Sequence, residues 1–271
     1  SLLTKELALI SKYFYLFDRV YIGTAVTNYS RNCRGIACAT YAALETQVAT
    51  EFLKLYPLDK YPNLAWYLTE EGCLESPENL AELLYTSTAA LQAVAPLPIL
   101  WSPGFCRKYD SLPANGSLLE EQLEAMLCSS NLTVPIALHF QDLCGQTSKF
   151  EFPFDYSYEG AMNSTDALQY YQMLQRVRAK CPGKLTQAKI NMEMFIEHRN
   201  PAGAAGENNG AFILDADPRE LGDRKRAYEA EAEIGLSWAL PHWFSLNTYA
   251  NRTMDIQCTE HQIKSGTCVH P

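Results

Sequence analysis

At 271 residues the chain is long enough for one barrel-sized domain or two small ones. Apolar residues make up 47% and charged residues 20%, a balance that supports a large packed core and argues against a disordered or fibrous chain. The net charge of −9 disfavours nucleic acid and anionic membrane surfaces as partners, and no apolar run approaches the ~20 residues that a membrane span needs.

Helix-like and strand-like patterns then alternate along the chain. Leu2, Leu3, Leu7, Ile10, Tyr13 and Phe14 recur at helical spacing over 2–15, and 20–24 reads as a short buried strand. A helix over about 40–56 precedes a strand at 64–68. Ser76-Pro77-Glu78-Asn79 carries the cap and first-turn signal of a helix over about 77–94, followed by a strand at 98–102. A helix near 117–129 leads to a strand at 135–140. Ser164-Thr165-Asp166 opens a helix over 164–179 before a strand at 189–195. Asn200 to Gly210 reads as a flexible loop, either a lid or a passive surface segment. Asp217-Pro218 opens the last helix, about 217–234, ahead of a strand at 236–240. Its run Asp223-Arg224-Lys225-Arg226 reads as a solvated face.

Six helix–strand units in series predict parallel strands covered by helices. No glycine-rich phosphate loop follows any strand, so a nucleotide-binding doubly wound sheet lacks its signature. Polar residues instead gather just after the strands: Thr24, Glu70, Glu71, Ser102, Gln141, Asp142, Glu193 and His242. That is where a (β/α)8 barrel places its active site. Such a barrel has eight strands and starts on one. The expectation is therefore a TIM-barrel-type α/β domain over 1–250 that lacks its first two strands, with a cysteine-containing tail at 251–271.

Nine cysteines are present and no CxxC pair, so zinc ribbons and thioredoxin-type motifs have no support. Asn28, Asn115, Asn131, Asn163 and Asn251 each begin an Asn-x-Ser/Thr triplet. Together the two features favour an oxidising, secretory environment, with the glycosylation and disulfides that go with it. The alternative is a cytosolic chain with reduced, buried thiols. Cys33 with Cys38, and Cys258 with Cys268, are close enough to staple loops, and an odd count leaves at least one thiol free or paired outside the chain. Cys144 reads as a disulfide partner.

An apolar strand that ends in carboxylates, as Trp66-Tyr67-Leu68-Thr69-Glu70-Glu71 does, needs a reason, because charge at a barrel mouth is costly unless paired or solvated. Sugar hydrolysis supplies one. One carboxyl group protonates the glycosidic oxygen while a second attacks the sugar or activates water. Glu193, closing Asn191-Met192-Glu193, is the second carboxylate, with Asp142 a third. Trp66, Trp101, Phe105, Phe140, Phe195, Trp238 and Trp243 flank these positions, either as ordinary core or as faces for sugar C–H groups.

In order, Trp66-Tyr67-Leu68-Thr69-Glu70-Glu71, Trp101-Ser102-Pro103-Gly104-Phe105, Phe140-Gln141-Asp142 and Asn191-Met192-Glu193-Met194-Phe195 resemble the strand motifs of the glycoside-hydrolase-like barrels grouped as domain of unknown function 4434. The resemblance implies a fold of that kind over about 5–250. It gives Glu71 the carboxylate after the fourth barrel strand and Glu193 the one after the seventh, as acid/base and nucleophile. Trp66, Tyr67, Glu70, Ser102, Gln141, Asp142, Asn191 and His242 are then substrate-binding positions for an oligo- or polysaccharide. Thr69 departs from the family's proline, and Glu70 adds a second carboxylate. No cofactor is implied. Two other readings stay open: a carbohydrate-binding barrel without turnover, and a metal-dependent polysaccharide deacetylase built on Asp142 with two of His139, His198 and His242.

Overall fold

The computed structural model describes residues 11–24, 36–69, 72–74, 77–105, 118–144, 163–193, 195–199, 211–215 and 218–238. Their elements, in chain order, are β1 (Val20–Gly23), α1 (Ile36–Leu55), β2 (Leu64–Leu68), α2 (Pro77–Val94), β3 (Ile99–Trp101), α3 (Leu118–Leu127), β4 (Ile136–Gln141), α4 (Ser164–Lys180), β5 (Leu185–Glu193), β6 (Phe195–Arg199), β7 (Ala211–Asp215), α5 (Pro218–Glu231) and β8 (Ile234–Trp238).

Six strands form one sheet in the order β1-β2-β3-β4-β5-β8. β1 with β2, β2 with β3, β3 with β4, and β5 with β8 pair in parallel. Between β4 and β5 the bonds Ile136 N–H to Lys184 O and Asp142 N–H to Asn191 O advance together along both chains, which makes that pair parallel too. The strands of this sheet lie in their chain order, and β6 with β7, between β5 and β8 in sequence, form a separate two-stranded sheet. A doubly wound sheet reverses its order, and this one does not. The chain is thus an α/β protein with an all-parallel six-stranded sheet of sequential order, compatible with part of a TIM barrel. Every residue of β3, and all of β2 but Tyr67, is buried, as expected for strands covered on both faces.

Contacts divide the chain into two compact units. One comprises 1–103, 118–138 and 177–187, the other 104–117, 139–176 and 188–271. In the first, α1 packs on α2, and Tyr85 on α2 donates its hydroxyl hydrogen to Met126 O at 2.9 Å. Phe14, Phe52, Tyr56 and Tyr61 form an aromatic cluster beside Leu64. A disulfide joins Cys128, just past α3, to Cys181, just past α4. Cys38 and Cys73 are disulfide-bonded as well.

In the second unit Phe105 stacks on Tyr170 at a centroid distance of 3.9 Å and meets Phe140 edge-on at 5.4 Å. All three rings are buried, each worth about 3 kcal/mol relative to exposure. α4 begins on a reciprocal cap. Asn163 Oδ1 accepts from Thr165 N–H and Asp166 N–H, while Asp166 Oδ2 accepts from Asn163 N–H.

Two sequence expectations need correction. Ser11–Leu16 is a 3-10 helix rather than the end of an α-helix. Asn63 Nδ2–H donates to both Phe14 O and Phe17 O, and Phe17 N–H bonds back only three residues to Phe14 O, so the turn tightens where Phe14 enters the aromatic cluster. The strand expected over 189–195 does not run through. β5 starts earlier, at Leu185, and ends at Glu193, and Phe195–Arg199 then pairs antiparallel with Ala211–Asp215. The loop expected over 200–210 and the tail over 251–271 lie outside the described residues. No helix among the described residues is long and apolar enough to cross a membrane.

Candidate functional site

The second unit holds a buried polar cluster built on Asp142, the residue that follows β4. Its carboxylate is fully buried. Oδ2 accepts from the Tyr228 hydroxyl at 2.8 Å and from Arg224 Nη1–H at 3.1 Å. Oδ1 accepts from Cys144 N–H at 3.3 Å, which closes an Asx turn. The backbone N–H of Asp142 donates to Asn191 O of β5. A buried carboxylate is tolerated only when paired and hydrogen-bonded, and here the donors come from α5 and from its own turn.

Leu143, the middle residue of that turn, sits at φ 50°, in the left-handed region that L-residues seldom adopt. Gly104 makes room for it. A Cβ on Gly104 would stand 3.1 Å from Leu143 Cδ1, and the backbone of Gly104 bridges to Gln141. A second glycine serves His139. A Cβ on Gly235 of β8 would come within 2.4 Å of His139 Nδ1, so the imidazole of β4 lies directly over the β8 backbone.

Burial and the neighbouring Asp142 charge push both the Cys144 thiol and the Tyr228 phenol well above their ordinary pKa ranges. Burial opposes the charge on Arg224, but Asp142, with smaller contributions from Cys144 and Tyr228, more than offsets it and raises the guanidinium pKa. The cluster is therefore a carboxylate–guanidinium pair with a neutral phenol and a neutral thiol. Its hydrogen bonds fix the ends of β4 and β5; it offers no thiolate nucleophile.

Two sequence readings change here. Cys144 is a free, buried thiol, 3.7 Å from the Tyr228 hydroxyl, and not a disulfide partner. Arg224 is 5% exposed and turned to Asp142, whereas Asp223 and Arg226 form the exposed pair expected of a solvated face. Arg224 and Tyr228 stand four apart and so share one face of α5. That spacing was the available signal, and the surrounding charge run masked it.

The residues singled out from sequence are distributed as follows. Gln141 ends β4 and Asn191 lies on β5, both buried, and the Asp142–Asn191 backbone bond brings those two strand ends together. Glu193 ends β5 with its backbone paired to Trp238. In the other unit, Ser102 is buried just after β3, Tyr67 is half-buried on β2, and Trp66 is fully buried with its indole N–H donating to Ala95 O. Glu70, Glu71 and His242 lie outside the described residues, as do the side chains of Glu193 and His198. No group of three metal-ligating side chains occurs among the described residues.

No family model matches the chain, so the likeness to domain of unknown function 4434 rests on its motifs alone, and no curated protein matches it either. Among solved structures it is similar to a putative alpha-L-fucosidase from Bacteroides thetaiotaomicron, with 15% identity and a TM-score of 0.56 over 84% of this chain. The chain spans 64% of the length of that protein. At this identity the likeness is one of fold.

Proposed function

We propose that the chain is a glycoside-hydrolase-like α/β barrel domain that acts on an oligo- or polysaccharide by a two-carboxylate mechanism. The observation that carries the reading is the crowding of buried polar groups at the C-terminal ends of consecutive parallel strands. Gln141, Asp142 and Asn191 meet there, two residues ahead of Glu193. The fold likeness to a protein named as a fucosidase supports the same class.

In this reading Glu71 protonates the glycosidic oxygen and Glu193 attacks the anomeric carbon, after which Glu71 takes a proton from the water that releases the sugar. Asp142 acts at one remove. Its oxygens accept from Arg224, Tyr228 and Cys144, so it holds the ends of β4 and β5 rather than a sugar hydroxyl. Secretion belongs to the same proposal. Disulfides at Cys38, Cys73 and Cys128–Cys181, and exposed Asn131 and Asn163 within their sequons, support it.

The test is a panel of aryl glycosides and glycans that includes an aryl α-L-fucoside. Glu71→Gln and Glu193→Gln should each abolish hydrolysis while calorimetry still detects sugar binding. Parental hydrolysis rates in both variants would overturn the assignment. A carbohydrate-binding barrel without turnover is the second reading, favoured by the commitment of Asp142 to protein donors. Sugar affinity without hydrolysis of any glycan in the unchanged protein would select it.

A further inference from the structure

In the first unit, the residue that follows β2 is held from two sides. Thr69 comes directly after Leu68, the last residue of β2, and directly before Glu70-Glu71 in the sequence. On one side its Oγ1 lies 3.3 Å from the Tyr41 hydroxyl of α1, a hydrogen bond in which either oxygen can donate. On the other its methyl carbon reaches the backbone of Gly23, the last residue of β1. A Cβ on Gly23 would stand 2.8 Å from Thr69 Cγ2, so only glycine leaves room for it. Threonine is stiff at χ1 because both branches leave from Cβ. With one branch tied to Tyr41 and the other set against Gly23, the two contacts together hold one rotamer, and with it the backbone where the chain leaves β2.

Tyr41 has a firm base for this. It is buried and packs with Cys38 and Leu83. One turn further along α1, Glu45 Oε1 accepts from the Thr24 hydroxyl at 3.1 Å, with both side chains buried. Thr24 follows β1 as Thr69 follows β2. Residues four apart share one face of a helix, so α1 fastens two neighbouring strand ends from a single face.

We propose that Tyr41 is a positioning residue for glycoside cleavage: through Thr69 it sets where Glu71 stands when it protonates the glycosidic oxygen. This rests on the reading of Glu71 as the acid. Tyr41 touches neither sugar nor the transferred proton, and its effect is one of geometry. A proton donor acts only within hydrogen-bond reach of its acceptor, and a misplacement of about 1 Å can cost about 100-fold in rate.

Leaving-group dependence separates positioning from packing. The probes are the phenyl and dinitrophenyl glycosides of the sugar that the glycoside panel identifies, α-L-fucose being tried first. Phenoxide departs slowly unless its oxygen is protonated, whereas dinitrophenoxide departs without a proton. In kcat/KM, which covers the steps up to bond cleavage, Tyr41→Phe should lose about tenfold on the phenyl glycoside and stay within about twofold of the parent on the dinitrophenyl one. Thr69→Val, which keeps a methyl against Gly23, should behave alike. The double variant should be no worse than either single one, because both remove the same bond. Parental values on both substrates, or equal losses on both, would overturn the proposal, since a purely structural contact does not distinguish leaving groups. Glu71→Gln in the same assay tells the two levels apart. If it loses the phenyl glycoside while Tyr41→Phe keeps it, the positioning role alone fails. If Glu71→Gln keeps it as well, or the parent cleaves neither substrate, the acid assignment fails and takes the role of Tyr41 with it.

Discussion

The Tyr228 hydroxyl donates to Asp142 Oδ2 at 2.8 Å across 86 residues of sequence, with neither side chain exposed to solvent. The bond joins the last turn of α5 to the turn after β4, and it shares its acceptor oxygen with Arg224. A charge-assisted bond of this kind contributes about 1.5–3 kcal/mol. Tyr228→Phe should reduce the free energy of urea unfolding by that amount. A change below about 0.5 kcal/mol would mean that the bond is dispensable.

Asp142→Ala should cost more, about 3–5 kcal/mol, because it strands the Arg224 guanidinium in a buried setting. The double variant Asp142→Ala with Arg224→Met should recover part of that loss. If the double variant is as unstable as the sum of the two single ones, the pair is not coupled in the way its geometry indicates.

The cluster predicts a pH dependence on the alkaline side. The folded-state pKa values of Cys144 and Tyr228 are both raised, so their contribution is fully present below the unfolded-state values and is lost as pH climbs past them. Those unfolded values are about 8.5 for a thiol and about 10 for a phenol. Neither group should add slope to stability measured from about pH 5 to 7; Cys144 should make it fall as pH passes about 8.5, and Tyr228 as pH passes about 10. Tyr228→Phe should flatten the part of that fall above about pH 10. A parent and a variant with the same alkaline slope would contradict the assignment. Buried and held as a thiol, Cys144 should also resist iodoacetamide in the native protein and react once it is denatured.

Gly235→Ala tests the packing of His139. The added methyl carbon would stand 2.4 Å from the imidazole Nδ1. Because His139 is buried on β4, it has little room to retreat, and a loss of about 1–3 kcal/mol is expected. An unchanged unfolding midpoint would show that the ring can move aside.

Replacing Cys128 and Cys181 together by Ala should lower stability by about 4 kcal/mol, from the chain entropy released by opening a loop of 53 residues. Differential scanning calorimetry of the pair variant is the direct check, and an unaltered midpoint would refute that magnitude.

How far the sequence alone reached can be read from particular elements. The central strands were legible because parallel strands covered on both faces are short apolar runs, such as Ile99-Leu100-Trp101. The Pro77 start of α2 was legible from its first-turn chemistry, and α2 ends at Val94 as the periodicity predicts. The β6–β7 hairpin was not. Phe195 reads as the last residue of the strand before it, and the connection over 200–210 is far longer than the two-residue loop in which its Asn209-Gly210 would signal a hairpin. At the site, strand-end position singled out Gln141 and Asp142, and the motif resemblance added Asn191. Arg224 and Tyr228 escaped because the charge run around them masked their shared face, and the partner that buries Arg224 lies 82 residues away.

The Cys128–Cys181 bridge has a further consequence for how the molecule fails. It closes a ring of backbone that contains all of β4 and α4. A single proteolytic cut inside that ring leaves two pieces still fastened to each other, which run as one band in a non-reducing gel and part only when a thiol is added. Damage to the peptide chain over this stretch therefore costs the protein a bond without setting its ends adrift.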